Sequence, residues 1–137
     1  MERDGAAAVL AFIHAFNDQD LDRLATVLDP EVVIHSSRGP RRGISEALGW
    51  ATRVETGELE QRIEVDGLRP AEDSVVALVR RQWRWRDSGE LAREDEVAWL
   101  FELSDGRISS WRAFEDRAAA LAAAGAGEGA ARPAPPR

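Results

Sequence analysis

Hydrophobic positions recur at two different periods along the chain. In "GAAAVLAFIHAFND", residues 5–18, Val9, Phe12, Ile13 and Phe16 fall three or four apart, which lines them along one side of a helix. Asp18 or Asp20 then caps a second helix, "LDRLATVL", with Leu21, Leu24, Ala25 and Leu28 on one face, and Asp29-Pro30 stops it. "EVVIHSS" reads as a strand and "RGPRRG" as a loop punctuated by glycine and proline. "ISEALGWATRVE" predicts a third helix, with Ile44, Ala47, Leu48, Ala51 and Val54 together. After Gly57 the period drops to two. Strands are predicted over 59–69, 74–86, 91–104 and 107–115, joined by "RPAED", "RDSGE" and "SDG", and Asp105-Gly106 is a strong tight-turn signal. A short helix over 116–124 ends the domain, taken as residues 1–124. The remaining "GAGEGAARPAPPR", residues 125–137, is expected to be a disordered tail rich in glycine, alanine and proline.

Helix, helix, strand, helix and then four long antiparallel strands make an α+β domain: a curved, mainly antiparallel sheet with helices packed on one face. Within the 91–104 strand, Val97, Trp99, Phe101 and Leu103 share one face. In the preceding strand Trp83 and Trp85 alternate with Arg80, Gln82 and Arg84. Neither face of such a strand sits comfortably in water, so one face is expected to meet helices and the other a second subunit.

Composition narrows the chemistry. With 44% apolar residues the chain can build a core, and no apolar run approaches the roughly 18 residues of a membrane span. The first residues continue as an amphipathic helix and do not have the layout of a signal peptide, so the expected compartment is the cytoplasm. A net charge of −7 argues against a nucleic-acid partner. There is no cysteine, no lysine and no tyrosine. Thiol nucleophiles, Schiff bases and phenolic donors are therefore excluded, and two histidines, His14 and His35, do not make a metal site by themselves. No metal and no organic cofactor is expected. The proton-moving groups that remain are carboxylates and the two histidines. The lysine-free, arginine- and alanine-rich composition suggests a GC-rich bacterial genome.

The segments "FNDQDLDRLATVLDPEVVIHSS…RRG" and "DSGE…EDEVAWLFELSDGRISSWRAFEDRAAAL" resemble the nuclear-transport-factor-2-like superfamily, and its SnoaL-like bacterial members in particular, over roughly residues 5–124. The resemblance implies a cone: a strongly bent sheet wrapped by three helices around a pocket. Members include ketosteroid isomerases, limonene-epoxide hydrolases, polyketide cyclases, dehydratases and non-catalytic binding proteins, so the fold alone does not choose a chemistry. It also implies a homodimer through the outer sheet face, which would suit Trp83 and Trp85.

Carried over one residue at a time, the resemblance sets His35 at the general-base position of the isomerases. Their oxyanion tyrosine falls near Phe12 and their protonated aspartate near Trp99, so two of three positions have lost that chemistry. Of the epoxide hydrolases' aspartate–arginine–aspartate set, Arg80 matches the arginine and Asp116 one aspartate, while the other aspartate falls on Gln82, so the acid pair is incomplete. The water-positioning residues fall near Val33 and His35. The implied site is His35 as base, Asp116 as second acid/base or orienting group, and Arg80 with Gln82 as donors, walled by Phe12, Trp99, Trp50 and Trp111. Asp116 also stands where a helix cap belongs, and the two roles are compatible. His14, two residues past Phe12, points elsewhere and reads as structural. Three functions follow from this set. One is a cofactor-independent lyase, isomerase or hydrolase acting on a largely apolar carbonyl or epoxide. The second is a non-catalytic module that holds a small apolar ligand. The third is a dimeric scaffold whose cavity is filled by Trp99, Phe101 and Trp50.

Overall fold

The computed structural model describes residues 5–52 and 58–124. In chain order the elements are α1 (Gly5–Asp18), α2 (Leu21–Thr26), β1 (Leu28–Ser36), β2 (Gly39–Arg42), α3 (Ile44–Ala51), β3 (Leu59–Pro70), β4 (Ser74–Trp85), β5 (Leu91–Ser104), β6 (Arg107–Phe114) and α4 (Arg117–Ala124). The predicted tail, and Val54 of the predicted third helix, lie outside the described residues.

Six strands form one sheet in the order β2-β1-β6-β5-β4-β3. All pairings are antiparallel except β1 with β6, which run parallel. The connection from β5 to β6 is the Asp105-Gly106 turn. Both residues take positive φ (54° and 79°), as a two-residue turn that continues the strand twist requires. The predicted "RGPRRG" loop instead contains β2. Proline is tolerated there because β2 is an edge strand, where a missing N–H breaks no ladder. Asp20 caps α2 by accepting from the Arg23 amide at 3.1 Å. Leu28, expected on that helix, begins β1.

The core lies between α1–α3 and one face of the sheet, here the inner face. Val9, Phe12, Ile13 and Phe16 of α1 and Leu24 of α2 pack with Val32, Ile34, Ile63, Val75, Ala77, Val79, Val97, Trp99, Phe101, Ile108 and Trp111. The other face is not left bare. Helix α4 crosses it, and Ala120, Leu121 and Ala124 cover Val76, Leu78, Ala98, Leu100 and Phe114. Helices on one face only was therefore half of the arrangement. The apolar residues that alternate with the core set on β4 and β5 need cover of their own, and α4 provides it.

Arg117, the first residue of α4, fastens that helix. It donates to the main-chain carbonyls of Val97 (3.1 Å) and Val79 (2.9 Å) and to the Asp66 carboxylate (2.9 Å). At the β3 edge, the Asn17 side chain donates to Ile63 O and accepts from Ile63 N, both at 2.9 Å. These are groups that an edge strand would otherwise present to another chain. No described helix is long and apolar enough to cross a membrane.

Candidate functional site

The inner face carries a continuous aromatic cluster. Phe12 is 1% exposed and meets Phe101 edge-on at 5.1 Å between centroids, with Phe16, Trp50 and Trp99 each at 6.4 Å. Trp99 lies 5.3 Å from Trp111, and Trp50 covers Trp111 at 4.5 Å with a 52° tilt. Strand phase explains the grouping. Trp99 and Phe101 are alternate residues of β5, Phe101 pairs with Trp111 of β6, and Trp111 pairs with Ile34 of β1. Phe12 and Phe16 are one helical turn apart on α1. Trp50, on the last turn of α3, is only half-buried and forms the outer edge of the cluster.

One polar atom lies inside this apolar volume. Trp111 is 6% exposed, and its indole Nε1 is buried with no hydrogen-bond partner. Buried donors are almost always paired, and leaving one unpaired costs about 1–3 kcal/mol. Among the described residues no polar or charged residue is fully buried; the Gln19 side chain, part-buried, donates to Phe16 O and Ala51 O at the edge of the cluster.

The four wall residues Phe12, Trp50, Trp99 and Trp111 therefore come together as expected. The four polar candidates do not join them. His35 alternates with the buried Val32 and Ile34, so it projects on the outer face, where its register neighbours are Pro40 and Arg112. Arg80 and Gln82 alternate with Val79 and are also on the outer face. Arg80 donates to Asp66 at 2.6 and 3.3 Å and lies 3.6 Å from Glu94; Gln82 donates to Glu94 at 2.7 Å. Asp116 accepts from the Ala118 amide at 2.9 Å, as the cap of α4, and is exposed. The expected Arg80–Asp116 pair is replaced by Arg80–Asp66. A bulge in β3 between Val65 and Gly67 turns Asp66 toward both Arg80 and Arg117. Arg80 first and Arg117 second hold the Asp66 carboxyl below its ordinary value.

The polar groups that do share the inner face were not anticipated. Arg81 continues the Val75–Ala77–Val79 phase and binds Asp95 of β5 through two hydrogen bonds, at 2.8 and 2.9 Å. That pairing, with a smaller contribution from Arg93, keeps the Asp95 carboxyl below its usual range despite partial burial. Such a carboxylate stays ionised and is a poor proton acceptor near neutral pH. Arg93 and Arg81 also lie over the Trp83 ring, 4.4 and 5.4 Å from its centroid. The face that Trp83 shares is thus the inner one, beyond the helices. Trp85, with Leu59 and Leu91, is exposed at the strand ends. His14 is exposed, away from the cluster. Among the described residues no group of histidine and carboxylate side chains could hold a metal ion.

The SnoaL-like domain family matches residues 9–111. The chain belongs to the SnoaL-like family. Three solved structures show how widely its fold is shared. An LEH-like epoxide hydrolase from M. tuberculosis is 21% identical, with a TM-score of 0.66 over 88% of this chain and 84% of that one. A putative polyketide cyclase from Xanthomonas campestris is 16% identical, with a TM-score of 0.67 over 86% and 94%. A computationally designed 17-OHP binder is 13% identical, with a TM-score of 0.64 over 82% and 93%. No curated protein sequence matches the chain. At these identities the SnoaL-like chain shares the nuclear-transport-factor-2-like fold with each of them, and the site must be argued from its own residues.

Proposed function

We propose that this SnoaL-like chain is a small-molecule-binding module, which holds a largely apolar ligand in the aromatic interior without turning it over. The observation that carries the reading is the unpartnered Trp111 Nε1, a single directional donor in an interior that is otherwise apolar among the described residues. Apolar walls with one or a few placed polar groups are what a ligand pocket needs for affinity and orientation. Acid/base turnover needs a titrating group within reach of the substrate. The acid/base reading built on His35, Asp116, Arg80 and Gln82 requires a substrate on the opposite side of the sheet. The designed 17-OHP binder is a case of the same fold holding a small molecule by design.

Native mass spectrometry of the purified protein, beside Trp111→Phe, His35→Ala and Asp116→Asn, tests the reading. A bound small molecule that persists in the His35 and Asp116 variants and is weakened in Trp111→Phe is expected. A molecule lost from the His35 and Asp116 variants but kept by Trp111→Phe would refute a site in the aromatic interior, and turnover of that molecule by the wild type, lost in His35→Ala, would refute the non-catalytic reading.

A further inference from the structure

We infer that the ligand class is neutral and bicyclic in size, with one hydrogen-bond acceptor and no donor at its buried end, and that it enters where the Trp50 ring now lies. This rests on the binding reading above. The size follows from Trp50. It is the half-buried member of the cluster, its ring covers Trp111 at 4.5 Å, and it also contacts Phe16 (5.8 Å) and Phe12 (6.4 Å). In the inferred bound form the Trp50 ring has swung off Trp111, while Ala47 and Ala51 anchor α3 in the core. That swing leaves an indole-sized site floored by Trp111 and walled by Phe12 and Phe16.

The polarity follows from the inventory of that site. Among the described residues the one buried side-chain N or O atom without a partner is Trp111 Nε1, a donor, and an indole N–H does not accept. A ligand acceptor placed there removes an unsatisfied group that the empty protein carries. A ligand donor placed there finds no side-chain acceptor among the described buried residues and adds a second unsatisfied group. Among the described residues no fully buried charged side chain offers a charge a partner there. Selection therefore runs by what the site leaves unpaired, which discriminates more strongly than shape alone.

Three probes of one shape test this by isothermal titration calorimetry: 2-acetylnaphthalene (acceptor only), 2-isopropenylnaphthalene (neither) and 1-(2-naphthyl)ethanol (donor and acceptor). Each is titrated into the wild type and into Trp111→Phe. The affinity of the ketone relative to the alkene is expected to fall roughly 3- to 10-fold in Trp111→Phe. The alcohol is expected to bind the wild type more weakly than the ketone. Using the ratio cancels any general loosening caused by the substitution. Trp50→Ala should speed association of all three probes and leave their ranking intact. A ketone-to-alkene ratio unchanged by Trp111→Phe, or an alcohol that outcompetes the ketone, overturns the inference while the binding module stands. Slower association in Trp50→Ala overturns the entry route. Failure of all three probes to bind the wild type overturns the binding reading itself, and the inference with it.

Discussion

Replacing Asn17 with alanine removes the two hydrogen bonds that tie the end of α1 to the free edge of β3. Both are 2.9 Å long, and both end on the main chain of Ile63, a residue only 2% exposed. Each such bond contributes about 0.5–1.5 kcal/mol, and the Ile63 N–H and C=O lose their partners where water reaches them poorly. The expected destabilisation is about 2–3 kcal/mol, a large share of the roughly 5–15 kcal/mol that holds a domain together. At roughly 4 °C per kcal/mol for a chain of this size, the melting temperature should fall by about 8–12 °C. Urea unfolding followed by tryptophan fluorescence measures the change. Amide exchange at Ile63 locates it, since that N–H should lose protection first. His14→Ala, on the exposed side of the same helix, is the control and should stay within about 0.5 kcal/mol. An Asn17→Ala protein within 0.5 kcal/mol of wild type, by the same comparison, would mean that the Asn17–Ile63 clamp carries no stability. Growth of a dimer or aggregate in that variant would fit an uncovered strand edge.

Trp111→Phe should change stability by no more than about 1 kcal/mol, because relief of the unpaired N–H offsets the lost ring atoms; Trp99→Phe, without that relief, should cost about 1–3 kcal/mol by the same unfolding assay. Phe12→Ala, at the centre of the aromatic cluster, should cost about 3–5 kcal/mol and shift the thermal midpoint more than any exposed aromatic, Trp85→Ala included. Asp66 and Asp95 have folded-state pKa values below their ordinary ones, so each adds stability above the unfolded value and loses it as pH falls through the folded one. Stability should therefore drop below about pH 4, with a shallower dependence in Asp66→Asn and Asp95→Asn by acid titration of the circular dichroism signal. Asp116→Ala should cost about 1 kcal/mol, concentrated in α4 and read as faster amide exchange there, with the inner cluster's tryptophan fluorescence unchanged.

Most of the element order was legible because each element carries its own period. Val9, Phe12, Ile13 and Phe16 specify α1 by spacing alone, and Asp105-Gly106 specifies a turn because few other pairs take two positive φ angles cheaply. The aromatic cluster was legible: Phe12, Trp50, Trp99 and Trp111 were expected together because large aromatics in strand and helix phase have few places to go except a core. Arg80 and Gln82 were expected beside that cluster and lie on the opposite face, and Arg81 and Asp95 were passed over. The cause is the run Val75-Val76-Ala77-Leu78-Val79, apolar at every position because α4 buries one face and α1–α3 the other. Alternation then says which residues share a face but not which face is which. For β1 the clue was present. Alternation sets Val32 and Ile34 on one face and Val33 and His35 on the other, and a one-residue choice of phase sends every side chain to the opposite side.

Local sequence determined the helices, strands and turns, and the family whose fold they compose, because dihedral preferences and hydrophobic periods act within a few residues. Tertiary structure alone decided which sheet face became the interior. That depends on where α4 docks and on the bulge that turns Asp66 toward Arg117, and both are interactions between segments far apart in the chain. The same long-range packing left one indole N–H of Trp111 without a partner, which no inspection of its neighbours in sequence reveals.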